Sequence, residues 1–167
     1  MDVKSRHHLR ADAIDAIDTA LADRLGVPLD GDTYERVTFE ADDRELVLVD
    51  GDPLVLYLDE ESVGGADGDP FVTVRGANAT DPERATVTVD AGAIEFVSDG
   101  ADVMRPGIVA ADDAIEAGDP VVIVEEAHGK ALAVGRARVE GSDMVGEEGK
   151  VVDSIHHVGD DIYEFAP

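Results

Sequence analysis

Apolar positions follow two rhythms along the chain. Between Asp12 and Leu25, Ile14, Ile17, Leu21 and Leu25 recur at the spacing of one helical face. Asp15, Asp18 and Asp23 occupy the other side, and Gly26 with Pro28 ends the helix. Beyond it the apolar runs shorten to strand length. Glu45–Val49 and Leu54–Leu58 flank Asp50-Gly51-Asp52-Pro53, a hairpin signal, and Phe71–Val74 reads as another strand. Asp59–Pro70 is acidic and glycine-rich and is expected to be an exposed loop, with Ala77–Glu83 as a linker. From Arg84 onward, strand-like runs recur at 86–89, 93–97, 121–125, 131–139 and 150–156, and Asp161–Phe165 is a candidate for one more. Close strands with glycine-rich turns point to a compact barrel. The pattern therefore predicts an α+β chain: a small N-terminal α/β domain over 1–80, followed by a β-barrel over 84–165.

Composition changes the picture in two respects. Val and Ala outnumber Leu and Ile, and aromatics make up only 4% of the 167 residues, so the core is built from small side chains. Net charge is −26, with 39 acidic residues against 13 Lys and Arg. A nucleic-acid binder normally carries the opposite sign. The acids, however, are spread through every apparent loop rather than gathered in one tail, and Lys is scarce beside Asp. This Asp-rich, Lys-poor and Ala/Val-rich composition resembles that of proteins from salt-accumulating haloarchaea. At molar salt the Debye length is about 3 Å, so such self-repulsion is screened. On this reading the charge reports the environment rather than the partner. There is no cysteine, so disulfides and thiolate chemistry are excluded. No apolar run reaches the length of a membrane span, and the N-terminus lacks the apolar core of a secretion signal. A cytoplasmic protein with no membrane partner is expected.

One segment carries more information than the rest. Gly100-Ala101-Asp102-Val103-Met104-Arg105-Pro106-Gly107-Ile108 reads as a tight loop with a short helical turn, with Val103, Met104 and Ile108 expected in the core. As a pattern it resembles the central motif of the PUA domain, a small RNA-binding barrel. Further matches fall in the same order as in that family: Gly92-Ala93 before the segment, then Gly118-Asp119 ahead of a Val-rich strand. The Ala-Val-Gly centre of Ala131–Arg138 follows, and last comes Gly149-Lys150-Val151 leading to His156-His157-Val158-Gly159-Asp160. The opening, Lys4-Ser5-Arg6-His7-His8-Leu9-Arg10, resembles that of the universal archaeal PUA-domain proteins. These are related to the eukaryotic malignant-T-cell-amplified-sequence protein and to ligatin. The resemblance implies a PUA-type barrel after a small α/β domain. Its eukaryotic relatives act in translation, placing tRNA on the small ribosomal subunit with a partner that carries a SUI1 domain. The chain has no SUI1 segment of its own. It departs from the pattern at Pro120, which opens a strand, and at Tyr163, where relatives often carry Trp.

Enzymatic signatures are missing. The chain contains no nucleophile elbow, phosphate-binding Gly-Lys-Ser/Thr loop, dinucleotide fingerprint or HExxH. Adjacent histidines point to opposite sides of a strand and do not chelate alone. A non-enzyme without cofactor or metal is expected. For RNA contact, Ala127–Val139 is free of acid and carries Lys130, Arg136 and Arg138, which on a regular strand share one face with Leu132 and Val134. The resemblance adds Gly100, Ala101, Arg105, Gly107 and Lys150 to the candidate RNA site. Of His156 and His157, one ring is expected to be packed and one exposed to stack or donate. Lys4, Arg6, His7, His8 and Arg10 form a basic opening suited to ribosomal RNA or a partner protein. The expected function is docking of structured RNA, tRNA or rRNA, with a protein–protein adaptor acting through the N-terminal domain as the alternative.

Overall fold

The computed structural model describes residues 1–58 and 69–167. The first half is a five-stranded antiparallel sheet of β1 (Val3–His8), β2 (Tyr34–Phe39), β3 (Leu46–Val49), β4 (Asp52–Leu58) and β5 (Asp69–Val72), paired in that order. Helix α1 (Ala11–Leu25) connects β1 to β2 and buries Ile17, Leu21 and Leu25, the face its periodicity marks out. Gly26 ends it at φ 73°, and its N–H reaches back to the Ala22 carbonyl. The β3–β4 hairpin turns at Asp50 (φ 52°) and Gly51 (φ 89°). Two successive left-handed residues match the twist of the flanking strands.

The second half is a six-stranded sheet in the order β7-β11-β10-β9-β6-β8, curled into a nearly closed barrel. Its strands are β6 (Thr86–Val89), β7 (Val103–Met104), β8 (Ile108–Ala111), β9 (Pro120–Glu125), β10 (Ala131–Ala137) and β11 (Lys150–His157). All pair antiparallel except β6 with β9, which run parallel. The central strand β10 is buried on both sides over Ala131–Gly135, since barrel strands here face the interior on one side and the first half on the other.

Three expectations are corrected. Residues 93–97 are not a strand. A 3-10 turn at Ala91–Ala93 runs into helix α3 (Ile94–Ser98), because Asp90 accepts a hydrogen bond from the Ala93 N–H and starts a helical turn. Asp161–Phe165 is likewise helical: α4 (Asp161–Glu164) begins where the Asp160 carboxylate accepts from the Tyr163 N–H. The expected linker from Ala77 is instead the end of α2 (Val74–Thr80), capped by the Thr73 hydroxyl. The loop expected at Asp59–Pro70 lies outside the described residues, apart from Asp69 and Pro70, which open β5.

Helix α2 is the joint between the halves. It packs on both β4 and β10, and one apolar cluster runs from Leu46, Leu56 and Phe71 to Val122, Val134, Ile162 and Phe165. Polar groups fix the register of this joint. The Val74 N–H donates to His156 Nε2 (3.1 Å), while His156 Nδ1 lies 2.8 Å from Asp160 Oδ2. Since Nε2 accepts, the ring proton sits on Nδ1 and is donated to the carboxylate. The Ala131 N–H donates to Asn78 Oδ1 at 2.8 Å. Arg75 donates through Nε and Nη2 to the Tyr163 carbonyl, with its guanidinium 5.1 Å from the Tyr163 ring. Phe39 meets Phe165 edge to face at 5.2 Å. Burial pushes the Asp160 carboxyl up, but the His156 bond and the N–H groups of Tyr163 and His157 outweigh it and bring it down to about 2.

Candidate nucleic-acid interface

The segment Gly100–Ile108 shapes one wall of a groove of 370 Å³ on the barrel surface. Helix α3 and the turn before it form the other wall, with Ala93, Phe96 and Val97 facing Ala101, Met104 and Gly107. Local chemistry explains the bend. Gly100 adopts φ 92°, which L side chains rarely reach, and a Cβ there would lie 2.7 Å from His157 Nε2. The Ala101 N–H then donates back to the Phe96 carbonyl at 3.0 Å, closing the corner. Val103 and Met104 pair with Val152 and Lys150 of β11, after which Arg105-Pro106-Gly107 makes a 3-10 turn. At Gly107 a Cβ would approach that of Ala93 to 2.9 Å, so glycine lets the two walls meet.

The tight loop with a helical turn is thus present, but its apolar residues divide. Val103 and Ile108 are buried; Met104, expected in the core, is 47% exposed. The reason is the pairing of β7 at the sheet margin, which turns alternate side chains in opposite directions. Phe96 is 66% exposed, whereas the other three phenylalanines are at most 8% exposed. An aromatic ring and a thioether therefore stand on opposite walls of one open groove. Sequence reasoning missed Phe96 by taking 93–97 for a strand. The available signal was Asp90 ahead of Ala-Gly-Ala, a helix start that leaves Phe96 beside Val97 on a short helix.

Charged groups border the Met104 wall. Asp102 accepts from the Ser154 N–H (2.7 Å) and pairs with Lys150 Nζ at 3.0 Å. The Ser154 bond and then Lys150 hold its carboxyl below the usual range. Arg138 lies close enough to act on the same carboxylate and sits 3.7 Å from Asp153. Lys150 and Arg138 are thus two half-exposed cations beside the groove, Lys150 hydrogen-bonded to Asp102 and Arg138 lying between Asp153 and Asp102.

The remaining candidate residues are placed as follows. Arg105 donates to the Asp143 and Glu148 carbonyls at 2.9 and 3.0 Å and pairs with Asp143, so it pins the loop before β11. Arg136 donates to the Gly118 carbonyl at 2.7 Å. Lys130 is exposed at the opposite end of β10 from Arg138, roughly 25 Å away along a strand rising 3.3 Å per residue. The acid-free stretch accordingly does not form one cationic strip. Register shifts fall between Ala131 and Ala133 and between Val134 and Gly135, and Leu132 and Val134 are buried. His156 is fully buried in the joint with both ring nitrogens engaged, so it presents no surface to a ligand. His157 is half-buried over Gly100, its Nδ1 against the Ser98 and Val158 carbonyls. Lys4, Arg6, His7 and His8 are exposed on β1, in the other sheet, with Arg10 just beyond. Arg6 grips Glu35 through Nε (2.7 Å) and Nη2 (3.1 Å). Among the described residues, no group of His, Asp and Glu is arranged to hold a metal ion, and no helix is long and apolar enough to cross a membrane.

Comparison with known proteins bears directly on this geometry. Residues 85–159 match the family described as the PUA domain, which contains the groove and both its walls. An uncharacterized protein of Methanocaldococcus jannaschii is 36% identical over 140 residues, covering 83% of this chain and 80% of its own. A hypothetical protein of Pyrococcus horikoshii superposes with a TM-score of 0.81 at 31% identity, over 96% of this chain and 98% of that one. The chain belongs to this family of archaeal PUA-domain proteins. It is also related to translation machinery-associated protein 20 of Saccharomyces cerevisiae, at 36% identity over 88 residues, about half the length of each chain (48% and 49%).

Proposed function

We propose that the protein binds structured RNA and serves translation, docking an unpaired end such as the tRNA acceptor terminus. The observation that carries the reading is the open groove with Phe96 and Met104 exposed on facing walls, inside the PUA-matching region. Unpaired bases bind by stacking on aromatic faces and by contact along their edges. Phe96 offers the ring and Met104 a polarizable contact, and Gly107 lets the two walls of the groove meet. Lys150 and Arg138, both half-exposed, exchange their carboxylate partners for phosphate. Kinship with a translation machinery-associated protein supports the cellular setting. The reading extends to work at the small ribosomal subunit, with a separate SUI1-domain partner, in the cytoplasm of a haloarchaeon and without catalysis.

Filter binding of a tRNA transcript in KCl tests it. Arg138→Glu with Lys150→Glu is expected to weaken retention by about tenfold, on the order of 1.4 kcal/mol. Equal retention of variant and wild type would remove these cations from the site.

A further inference from the structure

Strand β1 is the outer strand of the first sheet and, among the described residues, pairs only with β2. All six of its residues are exposed, so neither of its faces is packed. Its hydrogen-bond phase can be read from both ends. The Leu9 N–H donates to the Tyr34 carbonyl, and the Glu40 N–H donates to the Asp2 carbonyl, each at 2.9 Å. Bonded and non-bonded pairs alternate in an antiparallel ladder. With His8 opposite Glu35 and Arg6 opposite Val37, the N–H and C=O groups of Arg6 and His8 point away from β2. Two residues in register thus offer a donor and an acceptor each along an open edge.

Charge on an edge strand is commonly protection against pairing, and a bulge serves the same end. Here the irregularity lies between Val3 and Ser5, leaving Ser5–His8 regular. The sign of the charge is also informative. In a chain with 39 acids against 13 Lys and Arg, protection is available from acid at no cost, yet residues 3–10 contain none and carry Lys4, Arg6 and Arg10. A positive edge repels a second copy of itself and attracts a negative strand.

We propose that β1 is a docking edge for an extended acidic segment of a partner protein, which adds a sixth strand to the first sheet through Arg6 and His8. RNA fits the edge less well. Phosphate accepts hydrogen bonds only and meets outward carbonyls alternating with the N–H groups. A strand satisfies donor and acceptor together. The surface is independent of the groove, which lies on the other sheet.

Amide hydrogen exchange of the full chain, followed residue by residue, tests this with synthetic probes. A peptide of about eight residues alternating Glu and Val, a usual strand length, is compared with its Lys and Val counterpart and with an oligouridylate. The Glu peptide is expected to slow exchange at Arg6 and His8 by about tenfold or more, leaving His7, already bonded to β2, little changed. The His8→Pro variant removes one outward N–H and leaves the ladder intact, and is expected to abolish the effect. Lys4→Glu with Arg10→Glu, which leaves every backbone group in place, is expected to reduce it. Absence of slowing, equal slowing by both peptides, or slowing by the oligouridylate alone would each overturn the proposal.

Discussion

The joint around α2 and the groove beside α3 invert what their side chains advertise. His156 and Asp160 look like a reactive pair, yet His156 is buried, Asp160 is half-buried and both are satisfied, holding the halves in register. Phe96 and Met104 look like core, yet they are exposed across a groove. The difference lies in what surrounds each group. A buried polar side chain must find partners, so its bonds fix one geometry. An apolar side chain left in water at a concave site gains by binding something else. In this chain the polar cluster specifies the fold, and the apolar pair is the candidate for contact.

The comparison breaks if the joint turns out to bind and the groove to stabilise. His156→Ala leaves the Val74 N–H without a partner in a buried joint and takes the ring N–H from the Asp160 carboxylate, which keeps the N–H groups of Tyr163 and His157. Urea unfolding is expected to show a loss of about 3 kcal/mol, the scale of an uncompensated buried group. RNA affinity of the folded variant is expected to stay within about twofold, as for a residue outside the contact surface.

Acid is a milder way to strike the same joint. The Asp160 carboxyl titrates at about 2 when folded, below its ordinary 3.8. A lowered carboxylate contributes stability that is complete above the unfolded value and is lost as pH falls through the folded one. The contribution, reduced by solvent screening at this half-buried carboxylate to about 1 kcal/mol, therefore disappears between about pH 4 and pH 2. Asp160→Asn is expected to flatten this part of the stability profile, and an unchanged acid limb would detach the carboxylate from the joint.

Salt gives the smallest expected effect. If Lys150 meets one phosphate, Lys150→Gln lowers the slope of log affinity against log salt by about 0.7, the single-strand value per contact. Titration of RNA binding across KCl concentrations measures it. A slope identical to wild type places Lys150 outside the interface.

Legibility in the sequence followed the local physics. Helix α1 and the Asp50-Gly51 hairpin were plain because period and turn chemistry agree there. Strand β2 was hidden, since its buried Tyr34, Val37 and Phe39 do not alternate strictly. Strand β1 shows no apolar rhythm because neither of its faces is buried. The helical identity of 94–98 and 161–164 depends on the carboxylates of Asp90 and Asp160 as caps, which apolar content alone conceals. At the site, the glycines at 100 and 107 were legible as backbone requirements. The grouping of Arg138 with Lys150 rather than with Lys130 depends on strand order and register, which no local pattern contains.

The central claim is that the groove between α3 and Gly100–Ile108 is where RNA docks. Phe96→Ala tests it most directly, because the ring is exposed and its loss is expected to alter stability by no more than about 0.5 kcal/mol. Titrating a tRNA transcript against wild type and variant at one salt concentration is expected to show a loss of about tenfold or more, the scale of one base–aromatic stack. Unchanged affinity with unchanged stability would contradict the account and move the RNA site elsewhere on the protein.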